Sequence, residues 1–493
     1  MRPWTLPLAV PASPAEGRVP LFLRIARAIS EEVRRGRLRP GDPLPGSREL
    51  SRALGVHRNT VIAAFRELVA EGWLTTEAAR GTFVSIALPE PAPRRFAKGA
   101  EPRDEVPSRV GFDVPAVERM GVDAAPAPPG ALSLMGGAPD VRLVPTAPLA
   151  RAFRRSLRTS SRALLSYGEP MGALRLRRGL AQMLSATRGL ATSEDSVLMT
   201  RGSQMALHLF ARTVLSPGDG VLVEGLGYRP AWEAFRAAGA RIVPIALDDG
   251  GIDVNAIRDL SVASPGPVRA IYVTPHHQYP TTVTLAAGRR LELLELARKR
   301  RIAILEDDYD HEFHYDGRPV LPLASADDAG VVVYIGTLSK VLAPGLRIGY
   351  VVAPRVVVER MMARRRYMDR QGDLVIEHAV GELLEDGEIM RHVRRARRAY
   401  AERRDVLVHG LRQRFGDVLT FATPAGGTAI WARVTPEVSP EAWAARALER
   451  GVILQTARFF AFDGRPRPFV RIGFAQLEPN ELKEALKRLH AAL

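Results

Sequence analysis

The sequence predicts a multidomain chain in which a small, mostly helical domain with a terminal β-hairpin precedes a larger α/β domain built on a mostly parallel sheet. The length of 493 residues exceeds what one hydrophobic core usually fills. Residues 18–86 carry helical periodicity followed by a short hairpin pattern. From about residue 131 onward, short β-branched apolar runs alternate with helical segments, which is typical of parallel strands covered by helices.

Composition narrows the classes of function. The formal charge of +16 favours a polyanionic partner, although an arginine-rich genome gives a similar balance. The chain has no cysteine, which excludes disulfides and thiolate metal ligands, and no metal site is predicted. Pro3, Pro7 and Pro11 interrupt the N-terminal stretch, and no apolar run reaches membrane-spanning length. We therefore expect a cytoplasmic protein without a membrane partner.

A linker is predicted over residues 87–130, which contain nine prolines, mixed charges and few large apolar side chains. It separates the two predicted domains, residues 18–86 and residues 131–493.

The small domain begins with an amphipathic helix, because four apolar residues recur at a spacing of four: Leu21, Ile25, Ile29 and Val33. Ser47 is the expected N-cap of a second, short helix that carries Leu50 and Leu54 and ends at Gly55. A four-residue turn leads to a third helix, whose predicted buried residues are Val61, Phe65, Leu68 and Val69.

A hairpin is predicted from Leu74 to Val84, with Arg80 at its tip. Three helices followed by such a hairpin form the geometry that places a helix N-terminus in the DNA major groove. Twelve arginines and seven acidic residues over 18–86 leave a positive surplus that suits phosphate contact. The candidate DNA contacts are Arg48, Arg58, Asn59, Thr60 and Arg80. The competing interpretation is a small helical domain whose charges only solvate its surface.

The stretch RLRPGDPLPGSRELSRALGVHRNTV closely resembles the winged helix-turn-helix head of GntR-type bacterial regulators, over nearly all of residues 18–86. In that family the third helix usually begins with a serine cap, whereas His57 stands there in this sequence. The resemblance implies a DNA-binding head whose partner is a double-stranded operator.

Polar residues follow the predicted strands of the larger domain at the points where the strands end. The strands are expected near residues 196–200, 221–224, 242–246, 270–274, 302–306 and 331–335. Ligands of such sheets bind at the carboxyl ends of the strands. Gly202-Ser203-Gln204 opens a helix whose free amides suit a phosphate. The other strand-end candidates are Tyr228, Asp307, Tyr309, Lys340 and Arg347.

A phosphate cradle, an aromatic ring, a carboxylate, a phenol and a lysine together predict pyridoxal 5′-phosphate as the cofactor. Lys340 is expected to form the Schiff base, and Asp307 to keep the pyridine nitrogen protonated. Tyr309 and Gln278 are expected to hydrogen-bond the phenolic oxygen, and Tyr228 to cover the ring. The expected phosphate ligands are Ser203, Gln204, Thr337, Ser339 and Arg347.

Each of these residues alone has a simpler explanation. Asp307-Asp308 could form a solvated turn or half of a metal site, Ser203 could be only an N-cap, and Tyr228 a core or surface aromatic. Five such features in the correct order, all at strand ends, favour the cofactor.

Residues from about 131 to 493 resemble the fold-type-I aminotransferases. GTLSKVLAPGLRIGY and LEDDYDHEF are signatures of the branch that is joined to a GntR-type head, the MocR/GabR family of bacterial regulators. The resemblance implies a large subdomain over about 180–385 and a small α+β subdomain over about 390–493. It also implies a head-to-tail, domain-swapped homodimer.

The same resemblance assigns two further residues and marks two departures. Tyr167 would reach the phosphate of the partner subunit's cofactor, and Arg471 would bind the carboxylate of a substrate or effector. Thr282 and Leu226 stand where the family usually has glycine and proline.

The predicted function is a pyridoxal-phosphate-dependent transcriptional regulator that senses an amino compound by aldimine exchange at Lys340. Two alternatives stay open: an active aminotransferase with an accessory DNA-binding domain, and a repressor whose pocket is vestigial. The arginine-rich stretches RMMARRRYMDR and RHVRRARRAYAERR are expected to be solvated faces of structural helices rather than a further DNA surface.

Overall fold

The computed structural model describes residues 19–78, 80–89, 110–114, 128–263, 266–317 and 319–493. The chain divides into two compact units, one ending at Arg119 and the other beginning at Met120. Most of the predicted linker lies outside the described residues, so its character stays a prediction.

The N-terminal unit consists of three helices and a two-stranded antiparallel hairpin: α1 (Leu21–Arg34), α2 (Ser47–Leu54), α3 (Arg58–Ala70), β1 (Leu74–Glu77) and β2 (Gly81–Val84). Gly55 ends α2 in the left-handed conformation, with φ 63°, as its position after the last apolar residue predicts. The predicted order of helices and hairpin is confirmed.

Two details of this unit differ from the sequence-based expectation. The N-cap of α2 is Gly46, and Ser47 is its first helical residue. On α3, Val69 is 40% exposed, whereas Ala64 is fully buried beside Leu68. The reason is helical geometry: Val61, Ala64 and Leu68 follow one face, and Val69 lies a further 100° around the axis.

The strands of the C-terminal unit are β3 (Leu132–Ser133), β4 (Val197–Thr200), β5 (Gly220–Glu224), β6 (Arg241–Ile245), β7 (Leu247–Asp248), β8 (Gly251–Ile252), β9 (Val268–Val273), β10 (Ala303–Asp308), β11 (Val332–Thr337), β12 (Gly349–Val352), β13 (Leu419–Thr420), β14 (Ala429–Val434), β15 (Val452–Ile453), β16 (Gln455–Thr456) and β17 (Phe469–Gly473). Its helices are α4 (Thr146–Thr159), α5 (Ser161–Leu164), α6 (Leu174–Arg188), α7 (Ser203–Val214), α8 (Arg229–Ala237), α9 (Val254–Ala263), α10 (Ala287–Arg300), α11 (Arg355–Met368), α12 (Leu374–Glu385), α13 (Glu388–Phe415), α14 (Pro440–Glu449) and α15 (Pro479–His490).

Seven described strands form the main sheet in the order β4-β12-β11-β10-β9-β5-β6. The pairings from β11 to β6 are all parallel, whereas β12 is antiparallel to both of its neighbours, β11 and β4. The mostly parallel sheet is therefore confirmed, while β12 was not expected. It follows the glycine-proline loop directly, and its short run GYVV gave no separate strand signal.

Helices cover both faces of this sheet because successive residues of each strand point to opposite sides. Val221 and Val223 of β5 pack in one cluster with Phe210 of α7 and Phe235 of α8. Leu222, between them, packs in another cluster, with α9 and α10. Burial on both sides explains why the strands are continuously apolar.

A smaller antiparallel sheet, β13-β14-β17-β16, packs against α13, α14 and α15. Trp443 of α14 is completely buried in this cluster, and its indole N–H donates to the carbonyl of Leu489. The 28-residue helix α13 contributes Tyr400 and Leu411 to the same core.

The arginine-rich helices only partly match the expected solvated faces. Arg394, Arg395 and Arg397 of α13 are exposed. Arg365 and Arg403, in contrast, are buried. The first donates to the carbonyls of residues 170 and 199, and the second to a carboxylate oxygen of residue 140. These two arginines hold elements together because a guanidinium can satisfy several acceptors at once.

No helix within the described ranges is both long enough and apolar enough to span a bilayer.

Candidate functional site

A cavity of about 200 Å³ opens at the carboxyl edge of the main sheet. The structure brings eight predicted residues to its walls: Ser203, Tyr228, Asp307, Tyr309, Thr337, Ser339, Lys340 and Arg347. They come from segments after β4, β5, β10 and β11, which share an edge because these strands run parallel.

Asp307 lies near the end of β10 with one carboxylate oxygen satisfied and the other unsatisfied. Its Oδ2 accepts a hydrogen bond of 2.9 Å from the hydroxyl of Tyr272, whereas the buried Oδ1 has no partner. Burial raises the pKa of Asp307 to about 7, against the opposing effect of the Tyr272 hydrogen bond. A cationic ligand group at Oδ1 would therefore restore the charged carboxylate.

Lys340 lies in the loop after β11, between Leu338 and Val341, which are both buried and anchor the loop. Burial lowers the pKa of its ammonium group, and the positive charge of Arg471 lowers it further. Both effects favour the neutral amine, which is the nucleophilic form of lysine.

The side of the cavity near α7 has the groups of an anion site. Ser203 is the first residue of α7, whose N-terminal amides are unsatisfied within the helix. Arg347 donates to the carbonyl of Arg201 at 2.8 Å. A Cβ on Gly202 would lie 3.0 Å from an Arg347 nitrogen, so the glycine permits this approach. The buried Oγ of Ser339 has no partner.

Two tyrosines shape the rest of the cavity. Tyr309 donates its hydroxyl to the carbonyl of His277 at 3.0 Å, and burial raises its pKa well above the usual value. Tyr228 meets Tyr279 edge to face, with ring centroids 5.8 Å apart.

Three predicted cofactor ligands do not line this cavity. Gln278 is buried, and its amide donates to Glu224, Leu226 and Tyr279, so it holds a loop in place. Its role as a ligand of the phenolic oxygen stays a prediction. The amide of Gln204 likewise donates to the carbonyl of Pro230 at 2.9 Å.

Tyr167 also lies outside the cavity. Tyr167 is 78% exposed, and the guanidinium of Arg370 lies 4.2 Å from the centre of its ring. Its predicted role concerns a partner subunit and stays a prediction.

Arg471 on β17 is 1% exposed and lies beside the cavity. Its Nη1 donates to the carbonyl of Met135 at 3.1 Å, its guanidinium lies 4.8 Å from the centre of the Tyr279 ring, and its Nε is buried without a partner. Its hydrogen bond within the described ranges is to a carbonyl, not to a carboxylate. The ion pair that would be the simplest explanation for a buried arginine is thus not found there.

Two glycines make room for this arrangement. A Cβ on Gly136 would lie 2.5 Å from Nη1 of Arg471, and a Cβ on Gly473 would lie 2.2 Å from the Cα of Gly136. A Cβ on Gly137 would lie 3.9 Å from the same Nη1 and 4.0 Å from Nζ of Lys340. The guanidinium and the amine therefore flank the same glycine.

Sequence reasoning missed several lining residues. Tyr272 lies inside a strand and was interpreted as part of an apolar run, although its hydroxyl satisfies Asp307. Gly136-Gly137 has no strand-end position, and only the double glycine could have indicated a close backbone approach. The remaining missed residues are Thr274, Tyr279 and Pro344.

The two departures from the resembled family have structural counterparts. Thr282 adopts φ 65°, a left-handed conformation that disfavours a β-branched residue and suits glycine. Leu226 forms an isolated antiparallel bridge with Ala461. Neither side chain lines the cavity.

The candidate DNA contacts lie in the N-terminal unit. Arg48, Arg58 and Asn59 are exposed, and Thr60 is half-buried. The His57 side chain caps α3 by accepting a hydrogen bond of 3.2 Å from the amide of Asn59. His57 is therefore confirmed as the N-cap in place of the usual serine. The Nε of Arg58 donates to the Oγ of Ser47 at 3.2 Å, which links α3 to α2.

Arg80 lies at the start of the β2 side of the hairpin and is exposed. It forms an ion pair with Glu77, and its guanidinium lies 5.6 Å from the centre of the Phe83 ring. A phosphate at this position would compete with Glu77.

Comparison with known proteins decides the family. The model of the aminotransferase class I and II family matches residues 138–489, and that of the bacterial regulatory proteins of the gntR family matches residues 21–84. The chain is 30% identical over 482 residues to the probable rhizopine catabolism regulatory protein MocR of Rhizobium meliloti, covering 96% of this chain and 94% of that protein. The chain belongs to the MocR-type regulators. The predicted winged helix-turn-helix head and aminotransferase-like domain are thereby confirmed.

The C-terminal unit of this MocR-type chain is also similar to enzymes. Aromatic-amino-acid aminotransferase 1 of Thermococcus litoralis is 29% identical, over 73% of this chain and 87% of the enzyme. The crystal structure of the multiple substrate aminotransferase from Thermococcus profundus matches with a TM-score of 0.69 and 28% identity, over 73% of this chain and 91% of the enzyme.

The raised pKa of Asp307 predicts a pH-dependent stability of the cofactor-free MocR-type chain. An unfolded aspartate loses its proton near pH 3.8, whereas folded Asp307 keeps it until about pH 7. Its contribution to stability therefore falls as the pH rises from about 4 to 7 and stays low above that range. Asp307→Asn should raise the melting temperature at pH 8 and have a smaller effect at pH 5.

The matched control is Asp248→Asn, because hydrogen bonds from Arg289 hold the pKa of this exposed carboxyl below its usual value. That substitution should lower the melting temperature slightly at pH 8 or leave it unchanged. Equal effects of Asp307→Asn at both pH values would show that Asp307 ionises normally.

Proposed function

We propose that this chain is a DNA-binding transcriptional regulator that binds pyridoxal 5′-phosphate and senses an amino compound at Lys340. The observation that carries the proposal is the cavity in which the half-buried Lys340 and the buried Asp307 face an anion site at the start of α7. Each group has a counterpart on the cofactor: an aldehyde, a pyridine nitrogen and a phosphate.

The residues present fit the cofactor. Oδ1 of Asp307 and Oγ of Ser339 are buried polar atoms without a partner, and leaving such atoms unsatisfied is unfavourable. The pyridine N–H and the phosphate would satisfy them. Ser203, Thr337, Ser339 and Arg347 would hold the phosphate, and Tyr228 would cover the ring.

When bound, the cofactor would supply an aldehyde that can condense with one amine at a time. Lys340 would provide that amine, and its lowered pKa would help an incoming amine to replace it. Asp307 would hold a proton at the pyridine nitrogen, and Tyr309 would orient its hydroxyl between the carbonyl of His277 and the ring.

Arg471 would recognise the effector. A buried guanidinium with an unpaired Nε, next to Lys340, can bind a carboxylate while the amine of the same molecule reaches the site of Lys340. The effector class is therefore an amino acid or a related amino compound with an acid group. A bound effector regulates only if it binds the DNA-competent and DNA-incompetent states with different affinity.

A second candidate function is aminotransferase activity, favoured by the cavity residues and by the similarity to the Thermococcus enzymes. Sustained conversion of an amino donor and a keto acid would support it, and a spectral change without turnover would support sensing. A homodimer is also part of the proposal, with the exposed Tyr167 reaching the partner's cofactor.

Lys340→Ala should abolish the visible absorption of the cofactor joined to the protein, because no other amine among the described residues lines the cavity. Far-UV circular dichroism should show the same fold, and Lys299→Ala, which removes an exposed lysine of α10, should keep the absorption. A parent protein that stays colourless after incubation with excess pyridoxal phosphate would contradict the cofactor proposal.

Arg58→Ala should weaken operator binding by about 1–3 kcal/mol if the side chain contacts a base edge. The DNA flanking the gene is the probe, measured by fluorescence anisotropy at two salt concentrations. Arg27→Ala is the charge-matched control, because Arg27 is exposed on α1 outside the candidate set. Similar losses in both variants would mean that Arg58 contributes only general charge.

Arg471→Lys should reduce the response to a carboxylate effector, because an ammonium group lacks the two parallel donors of a guanidinium. Each amino compound is titrated against cofactor absorbance and operator affinity, with effector-free operator affinity as the reference. Arg433→Lys, exposed on the neighbouring strand β14, is the control. An unchanged midpoint in Arg471→Lys would place the carboxylate elsewhere.

A further inference from the structure

Four histidines lie together beside the cavity, on two adjacent strand-end segments. His276 and His277 follow β9, and His311 and His314 follow β10. One ring nitrogen from each of His276, His277 and His314 lies within 4.8 Å of the others. No metal site is predicted from the sequence. The two pairs are at least 34 residues apart, and the parallel sheet brings them together.

Several ring nitrogens of this cluster have no hydrogen-bond partner in the described structure. His276 is 5% exposed, yet neither of its ring nitrogens has a hydrogen-bond partner in the described structure, and the same holds for Nδ1 of His314. A buried imidazole ordinarily donates from one nitrogen and accepts at the other. Unsatisfied nitrogens that converge on one point are what a metal ion would satisfy.

A carboxylate already orients one of the rings. Oδ1 of Asp310 lies 2.8 Å from Nδ1 of His277, and both residues are buried. Such a contact fixes the imidazole tautomer with the proton on Nδ1 and leaves Nε2 as a lone-pair donor. Carboxylates hold metal-binding histidines in this way in known sites.

We propose that His276, His277 and His314 bind a divalent transition-metal ion of the zinc type, with Asp310 as the residue that positions His277. Three imidazole ligands and no thiolate suit Zn²⁺ or a neighbouring ion such as Co²⁺, and a fourth position stays open for water or a small ligand. Tetrahedral ligation at about 2.05 Å places nitrogens about 3.4 Å apart, so modest ring rotations complete the site.

The site is separate from the cofactor cavity but shares a loop with it. The backbone carbonyl of His277 accepts the hydroxyl of Tyr309, which lines the cavity. A metal ion on His277 would thus fix the loop that holds Tyr309. The metal proposal itself does not depend on the proposed cofactor, because none of its three ligands lines the cavity.

The competing explanation is a packed histidine cluster satisfied by buried water. The metal content of the purified protein distinguishes this explanation from a metal site. Untagged full-length protein is stripped with EDTA, dialysed and titrated with Co²⁺, with ligand-field absorption and calorimetry as readouts, and Zn²⁺ content is measured by elemental analysis. The expected result is one ion per chain.

His314→Ala should abolish this binding. If the alanine variant folds poorly, His314→Gln, which keeps more of the side-chain volume, replaces it in the test and should also abolish binding. Asp310→Asn should weaken it about 10–100-fold. The control is His409→Ala, which removes an exposed histidine of α13 and should retain one ion per chain. Equal metal binding by the His314 variants and the control, or no stoichiometric ion in the parent, would overturn the proposal.

Discussion

The burial of unpaired charge at one sheet edge is the constraint on which the rest of the site depends. Asp307 and Arg471 are buried and Lys340 is half-buried, and none of the three forms an ion pair in the described structure. Burial of an ionised group is unfavourable unless it is paired. The pKa of Asp307 rises and that of Lys340 falls for this reason. A ligand with complementary charges is therefore favoured by groups that the fold alone leaves unsatisfied.

Two further buried carboxyls stabilise the loops around this edge. Glu224, at the end of β5, accepts from the hydroxyl of Thr274 at 2.8 Å and from the amide of Gln278. Glu306 accepts from the backbone amides of Leu323 and Ala324. Burial raises the pKa of both glutamates to about 7. They place the strand-end loops before any ligand arrives, which reduces the ordering that binding requires.

Much of the fold and of the cavity could be predicted from the sequence. The period of the apolar residues indicates helices and strands, and the position of polar residues after the strands indicates the site. Strand-end residues such as Asp307, Lys340 and Arg347 were found since parallel strands end together. The loop contacts of Gln278 were not predicted, because its place in the sequence says nothing about the direction in which its amide donates. Val69 was misplaced because apolar character alone does not decide which edge of a helix faces solvent. The histidine cluster depends on packing between two loops, and no single stretch of sequence contains it.

The close approach of Gly136 and Gly473 connects β17 of the smaller sheet to the wall of the cavity. The amide of Gly473 also donates to the carbonyl of Leu134 at 2.7 Å, so β17 and the segment before Gly136 are joined by both contact and hydrogen bond. Two backbones without side chains between them cannot slide past each other independently. Any displacement of β17 therefore moves the wall formed by Gly136 and Gly137 in the same direction, and the width of the cavity reports the position of the smaller sheet.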